Sequence, residues 1–204
     1  MITVATLLWT PNGRSLPFSR MYDESWVAKL LNGFARNLSH EFRFVLFTDR
    51  ERDLPGCIEQ RRISADRPDY STCIEPFGLG VPMILCGLDT VVTGDCDALA
   101  ASCFTRKTIG LPRDPYAPHR ACNGVCLVPA GFESVANLHR GENDMEWVRK
   151  FPHSFIDDEF PGEVLSYKGD VEGKCLGSAK VVYFHGRKKP HELSHLSWIK
   201  EHWR

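Results

Sequence analysis

Residues 81–97 read VPMILCGLDTVVTGDCD and form the stretch that decides the fold. An apolar run ends in Gly87-Leu88-Asp89, and a β-branched run at residues 90–93 follows it. Open α/β sheets present ligand-binding groups in this way, on an acidic residue at the carboxyl end of a short buried strand. A lone carboxylate among apolar neighbours is costly unless it is paired or holds a metal. The alternative is that Asp89 caps a turn and accepts hydrogen bonds from nearby backbone N–H groups.

Strands and helices alternate on both sides of this stretch. The apolar spacing predicts a strand over 2–8, a helix over 22–38 and a strand over 42–47, which together make a βαβ unit with parallel strands. Residues 112–120 are predicted to be a loop. Further strands are predicted at 57–63, 81–88, 107–111, 121–129, 164–168 and 180–185, and helical segments at 74–80, 133–139, 144–150 and 192–203. The pattern predicts a single Rossmann-like α/β domain in which helices flank a mostly parallel central sheet.

The composition excludes several classes of protein. The formal net charge of -1 over 204 residues lacks the excess of positive charge that nucleic-acid binding requires. No apolar stretch approaches the roughly 18 residues of a membrane span, and the N-terminal residues indicate a first strand rather than a signal peptide. The eight cysteines include no C-x-x-C pair, which disfavours zinc and indicates reduced thiols. These features predict a cytoplasmic protein.

Polar side chains follow four of the predicted strands, namely Thr10, Asp49, Asp89 and His185. If the sheet is mostly parallel, these strand ends meet at one edge, where such sheets bind ligands. An Asp and a His at that edge would suit a divalent ion, Mn²⁺ more than Zn²⁺. The neighbouring Arg187 and Lys188, in the basic run at residues 187–189, would hold phosphate. The plainer interpretations are a histidine bonded to backbone and a solvated basic turn.

Several segments resemble nucleotide-sugar-dependent glycosyltransferases of the GT-A type, in the branch of glycogenin-like and bacterial galactosyltransferase-like enzymes. The segments that carry the resemblance are ITVATLLW, FRFVLFTD, ILCGLDTVVTGD, CNGVCLVP, FIDDEF and FHGRKKPH. The family is centred on a D-x-D motif after an apolar strand; here Gly87 stands in the first acidic position and Asp89 in the second. An H-x-G-x-x-K-P-like segment of the family is matched by His185, Gly186, Lys188 or Lys189, and Pro190.

The resemblance implies a role for each matching residue. It implies that Asp89 and His185 ligate a metal ion, Mn²⁺ or Mg²⁺. It implies that the sugar donor is bound by Thr6, Trp9, Thr10, Gly87, Asp89, Arg187, Lys188 and Lys189, that the sugar and acceptor face Asn123 and Gly124, and that the catalytic carboxylates are Asp157 and Asp158. Because Gly87 removes one carboxylate, loose metal binding, other ligands and lost metal dependence all stay open. A turn or bulge at residues 123–124 and a helix first turn at residues 157–159 are the structural alternatives.

The resemblance implies transfer of a sugar from a nucleoside-diphosphate donor to the hydroxyl of a carbohydrate or other acceptor, and it favours retention of configuration. A carboxylate near the anomeric carbon would stabilise an oxocarbenium-like centre, or act as general base if the reaction inverts. A non-catalytic nucleotide-sugar or carbohydrate-binding domain and a sugar nucleotidyltransferase are the alternatives. Residues 1–97 are predicted to form the nucleotide-binding half and residues 98–204 the acceptor-side half with a closing helix. A homo-oligomer is compatible with the sequence.

Overall fold

The computed structural model describes residues 1–204 and contains three β-sheets. The strands are β1 (Ile2–Leu8), β2 (Phe42–Thr48), β3 (Ile58–Arg62), β4 (Met83–Cys86), β5 (Val91–Val92), β6 (Ile109–Leu111), β7 (Arg113–Asp114), β8 (Ala117–Ala121), β9 (Val125–Val128), β10 (His153–Phe155), β11 (Val164–Ser166) and β12 (Val181–Tyr183). Seven of them form the main sheet in the order β10-β6-β9-β4-β1-β2-β3. Its neighbouring strands are parallel except that β9 runs antiparallel to β4 and β6. The predicted mostly parallel α/β sheet is therefore confirmed.

Short helices connect the strands. The α-helices are α1 (Leu16–Ser19), α2 (Glu24–Asn37), α3 (Asp97–Thr105), α4 (Ser134–Asn137), α5 (Asp144–Val148), α6 (Ile156–Glu159) and α7 (Ser197–His202). Two 3₁₀-helices span Tyr70–Leu79 and Pro190–Leu193, and one π-helical turn spans Tyr167–Val171. None of these helices has both the length and the apolar character that crossing a membrane requires.

The predicted helix over 22–38 is confirmed as α2. The Asp23 side chain caps its start by accepting a hydrogen bond from the backbone N–H of Ser25. Trp26, Leu30 and Phe34 are buried on one face, at the spacing of an amphipathic helix. That face packs into the largest apolar cluster, on one side of the main sheet.

Alternate residues of the central strands pack on opposite faces of the main sheet. Val4 and Ile84 join the apolar cluster that contains the buried face of α2. Ala5 and Leu85 join a second cluster, which contains Phe77 of the first 3₁₀-helix. Because both faces are covered, strands such as β4 are continuous apolar runs rather than alternating ones.

A second sheet, of order β11-β12-β5, holds the last strand of the chain. Strand β12 is parallel to β11 and antiparallel to β5, with Val181 opposite Val92 and Val182 opposite Val91. The expectation that the end of the last strand lies at the edge of the main sheet is therefore wrong. Antiparallel pairing instead sets the residues that precede β5 beside the residues that follow β12.

Two other elements differ from the prediction. The segment 112–120 is not simply a loop, because β7 and β8 within it pair antiparallel, with Arg113 opposite Ala121. Helix α3 has no counterpart in the prediction, because its sequence DALAASCFT is apolar on most sides and lacks the stripe that marks a half-buried helix. The predicted closing helix over 192–203 is divided into the second 3₁₀-helix and α7.

Candidate active site

A cavity of about 780 Å³ opens at the carboxyl ends of β1 and β4. Residues 7–9 and 85–89 form one part of its wall. The strand order reverses here, because β2 and β3 lie on one side of β1 and β4 lies on the other. Open α/β sheets bind ligands at this switch point, and the volume is in the range of small-molecule sites.

The second wall comes from the C-terminal half of the chain. The antiparallel pairing of β5 with β12 brings residues that follow β12 next to Asp89. His185, Arg187 and Lys189 all line the cavity as a result. Asp89 and His185 therefore line the same cavity, and the small sheet rather than the edge of the main one brings them there.

Asp89 is buried and bound by two side chains. The Tyr22 hydroxyl donates to Asp89 Oδ2 at 2.9 Å, and Lys189 Nζ donates to the same oxygen. Asp89 and Lys189 are only 8% and 7% exposed, so each charge in this pair depends on the other. Burial, helped by the nearby Asp89 carboxylate, raises the pKa of Tyr22 and keeps its hydroxyl a donor. Asp89 is therefore half of a buried ion pair and does not serve as a turn cap.

Gly87 leaves the room that this carboxylate occupies. A Cβ atom at position 87 would lie 2.7 Å from Asp89 Oδ1. Any side chain at position 87 would therefore require the carboxylate of Asp89 to shift.

The side chains around Asp89 do not fit a divalent metal ion. The ammonium of Lys189 already lies on Asp89 Oδ2, and His185 Nε2 lies 2.7 Å from Ser166 Oγ. Burial, with smaller contributions from Lys168 and Lys189, lowers the pKa of His185 and favours its neutral form. Nowhere in the chain do three His, Cys, Asp or Glu side chains group so that they could hold a metal. Ligation of Mn²⁺ or Mg²⁺ by Asp89 and His185 stays a prediction that this arrangement does not favour.

The three residues of the basic run 187–189 lie in different surroundings. Arg187 and Lys189 line the cavity, whereas Lys188 lies outside it and pairs with Glu172. Backbone N–H of Lys189 donates to Glu192 Oε2 at 3.0 Å, at the start of the second 3₁₀-helix. Of the two lysines that match the family segment, the structure brings Lys189 to the site.

Asn123 and Gly124 lie on the cavity wall, next to an acid that the sequence did not single out. Asn123 Nδ2 donates to Asp144 Oδ2 at 2.7 Å, and Asp144 also lines the cavity. Asp144 is 7% exposed, and burial raises its pKa against the opposing hydrogen bond from Asn123. Perturbed carboxyl groups in clefts are candidate functional groups. The sequence did not mark Asp144 as a functional group, because it begins the predicted helix 144–150 and acidic residues are common in a first helical turn.

Gly124 is needed for packing of the wall. A Cβ atom there would lie 2.3 Å from Cδ2 of the Tyr183 ring. Gly124→Ala is expected to lower the free energy of unfolding by about 1–3 kcal/mol, because the ring is buried and can move only by disturbing its neighbours. Urea denaturation of the variant checks this expectation, with Gly13→Ala as the control, because a Cβ at Gly13 meets nothing within 4 Å. Equal losses in both variants would contradict it.

Asp157 and Asp158 do not line the cavity. Asp157 Oδ2 accepts from the backbone N–H of Arg113 at 2.8 Å. Asp158 forms an ion pair with Arg113 at 2.7 Å and has a side chain that is 63% exposed. Both acids lie in the first turn of α6, which is the position that the sequence offered as the alternative to a catalytic role. Their catalytic role stays a prediction, and the structure brings Asp144 to the cavity in their stead.

Three other predicted residues also lie away from the cavity. Thr6 is fully buried within β1, and its Oγ1 has no hydrogen-bond partner. Thr10 is exposed just beyond β1, outside the cavity wall. Asp49 pairs with Arg52 at 2.8 Å instead of facing the site. Of Thr6, Trp9 and Thr10, which the resemblance implies as donor-binding residues after the first strand, only Trp9 lines the cavity.

Aromatic side chains form much of the remaining wall: Trp9, Phe18, Tyr22, Tyr70 and Tyr116. The rings of Phe18 and Tyr70 stack with their centroids 3.8 Å apart. Trp9 is buried, and its indole Nε1 has no hydrogen-bond partner. An unpaired buried donor of this kind is costly to the folded state.

No protein-family model matches the sequence, and no curated protein matches it. Solved structures do match. Glycosyltransferase GlyE of Streptococcus pneumoniae TIGR4 has a TM-score of 0.61 at 13% identity, over 98% of this chain and 62% of its own. An active-site mutant of LgtC has a TM-score of 0.58 at 11% identity, over 93% of this chain and 89% of its own. The bifunctional WbbM has a TM-score of 0.60 at 10% identity, over 98% of this chain and 50% of its own.

These likenesses concern the fold, since every identity is low. This chain spans less than two thirds of the length of GlyE and half that of WbbM. The strand order with antiparallel β9, and a cavity at the ends of β1 and β4, agree with the resemblance that the sequence motifs indicated. The protein has the GT-A-type fold of bacterial galactosyltransferase-like glycosyltransferases.

Proposed function

We propose that this protein transfers a sugar from a nucleoside-diphosphate donor to an acceptor hydroxyl. The observation that carries the proposal is one cavity, at the switch point of the sheet, that combines a buried cation with a buried carboxylate, Lys189 and Asp144. The neighbouring LgtC has been solved with analogs of a donor and an acceptor sugar. That complex supports the same class of ligands for this cavity.

The walls of the cavity suggest where each part of the sugar nucleotide binds. The aromatic wall around Trp9 and Phe18 suits a planar nucleobase. Lys189 and Arg187 suit the diphosphate, because ammonium and guanidinium groups bind phosphate oxygens strongly. The sugar then lies towards Asn123 and Asp144, on the wall formed by the C-terminal half.

The reaction breaks the bond between the anomeric carbon and the oxygen of the β-phosphate, and the electron pair leaves with the diphosphate. The acceptor oxygen forms the new bond to the anomeric carbon from the face that the diphosphate leaves, so the configuration is retained, and its proton passes to the departing diphosphate. Lys189 and Arg187 stabilise the negative charge on the leaving group. The Asp144 carboxylate stabilises the positive charge that develops on the sugar ring, and Asn123 holds that carboxylate in place.

The non-catalytic alternative is favoured by one observation, the loss of the first acid of the D-x-D motif at Gly87. The nucleotidyltransferase alternative would use the loop after β1 to bind phosphates. Asn12 in that loop instead donates to the backbone carbonyl of Pro68 at 2.8 Å, and residues 12–14 do not line the cavity.

The proposal is tested by incubating the protein with a panel of uridine, guanosine and adenosine diphosphate sugars, with and without Mn²⁺. We expect release of the nucleoside diphosphate from at least one of them. Calorimetry on the same panel separates the alternatives, because binding without release would favour the non-catalytic domain. If no compound is hydrolysed or bound at millimolar concentration, the proposal is wrong.

A further inference from the structure

We propose that the ammonium of Lys189, fixed by Asp89, takes the place of a divalent metal ion in this site, so that the diphosphate is bound and released without metal. This inference rests on the proposed function and deepens it. It is carried by the buried pair of Asp89 and Lys189, the missing acid at Gly87 and the engagement of His185 with Ser166.

Lys189 keeps hydrogen-bonding capacity for a ligand. An ammonium group has three N–H donors and no acceptor. Lys189 Nζ has a single partner in the structure, Asp89 Oδ2, which leaves two donors unused. The side chain lines the cavity and is only 9% exposed, so those donors have little access to bulk water. Phosphate oxygens are the acceptors that such a site lacks.

The charges also balance without a metal. A dication held by two carboxylates is neutral as a unit, and so is one ammonium held by one carboxylate. With the first acid absent at Gly87, Lys189 neutralises the one carboxylate that remains, Asp89. Arg187, on the same wall, adds a further positive charge.

The cation is held before the ligand arrives. Tyr22 donates to the same oxygen that accepts from Lys189, which helps to fix the carboxylate in place. The backbone of Lys189 is tied to Glu192, and Pro190 begins the 3₁₀-helix directly after it. Preorganised charge of this kind acts on a leaving group without reorganisation during the reaction. Asp89 is then a positioning residue, and Lys189 contacts the diphosphate.

The test is calorimetry of the wild-type protein with UDP, GDP and ADP, once in excess EDTA and once with millimolar Mn²⁺. We expect the Kd of the nucleotide that binds to agree within about twofold between the two conditions. Mn²⁺ alone is expected to leave Tm unchanged, because it has no site to bind. Lys189→Gln is expected to weaken nucleotide binding about 10- to 100-fold, as for loss of a charged hydrogen bond, whereas the exposed Lys107→Gln leaves it unchanged.

The outcomes separate the two proposals. Nucleotide binding that requires Mn²⁺ would overturn this inference and leave the proposed function standing. Stabilisation of the nucleotide-free protein by Mn²⁺ would also overturn the inference. Absence of nucleotide binding in both conditions would overturn the proposed function together with the inference. The comparison of EDTA with Mn²⁺ uses the wild-type protein, so it decides the question even if Lys189→Gln does not fold.

Discussion

Replacing Asp144 by asparagine is expected to lower kcat about 10²- to 10³-fold, as for loss of one preorganised electrostatic contact to a transition state. The substitution removes the negative charge that would face the sugar. It keeps the shape of the side chain and an oxygen that can accept from Asn123, so the wall of the cavity is preserved. The measurement is steady-state kinetics on the nucleotide sugar that the panel identifies.

The same substitution is expected to stabilise the protein at neutral pH. Burial raises the pKa of Asp144 above 3.8, so the folded protein holds this proton more tightly than the unfolded chain does. Ionisation of Asp144 therefore destabilises the folded protein. The free energy of unfolding falls as pH rises from the pKa of the unfolded chain to that of the folded protein, and it falls no further above both values. Asp144→Asn lacks this loss, so its Tm should exceed that of wild type at neutral pH and match it in acid.

Two further variants are compared with Asp144→Asn. Asp53→Asn changes an exposed acid that makes no hydrogen bond and should leave both kcat and Tm as they are. Asp158→Asn tests the catalytic role that the family resemblance implies for the segment FIDDEF. If Asp158→Asn abolishes turnover while Asp144→Asn does not, the assignment of Asp144 is wrong.

Breaking the pair of Asp89 and Lys189 from either side is expected to lower the free energy of unfolding by about 3–5 kcal/mol, because the remaining charge stays buried and unpaired. Asp89→Asn and Lys189→Gln are the two single variants. The double variant, which leaves no charge, is expected to recover most of the loss, since neutral amides can bond to each other and to Tyr22. Urea denaturation of all four proteins gives the coupling free energy.

An ion pair on the surface serves as the control for this double-mutant cycle. Lys188 and Glu172 pair nearby, but the lysine side chain is 59% exposed. Exposed pairs contribute at most about 1 kcal/mol, so Lys188→Gln and Glu172→Gln should have small effects. Losses of equal size in the two cycles, or additive losses for Asp89 and Lys189, would contradict the view that the buried pair acts as a unit.

The elements with the strongest periodicity could be predicted from sequence. Helix α2 carries its cap at Asp23 and its apolar face at helical spacing, and β1 and β2 are runs of mostly apolar, β-branched and aromatic residues. Such local patterns are enough for the βαβ unit and the α/β class. Helix α3 and the β7–β8 hairpin lacked a signal, because an apolar helix has no stripe and two short strands rich in charge and proline resemble a loop.

The site was less accessible from sequence, for a physical reason. Asp89 was found because a lone acid after an apolar strand is unusual, whereas Lys189 was named only as an alternative to Lys188 in the family segment. Their pairing depends on the antiparallel contact of β5 with β12, which joins residues far apart in the chain. Asp144 was missed because it looks like an ordinary first-turn acid, and only the tertiary fold shows that it is buried beside Asn123.

The central claim is that the cavity at the ends of β1 and β4 binds a nucleoside diphosphate through Lys189. The most direct measurement is a crystal structure of the protein grown with UDP or GDP in the presence of EDTA. The claim predicts the diphosphate within hydrogen-bonding distance of Lys189 Nζ and the base against Trp9. A nucleotide bound elsewhere on the surface, or a diphosphate in the cavity that does not contact Lys189, would contradict it.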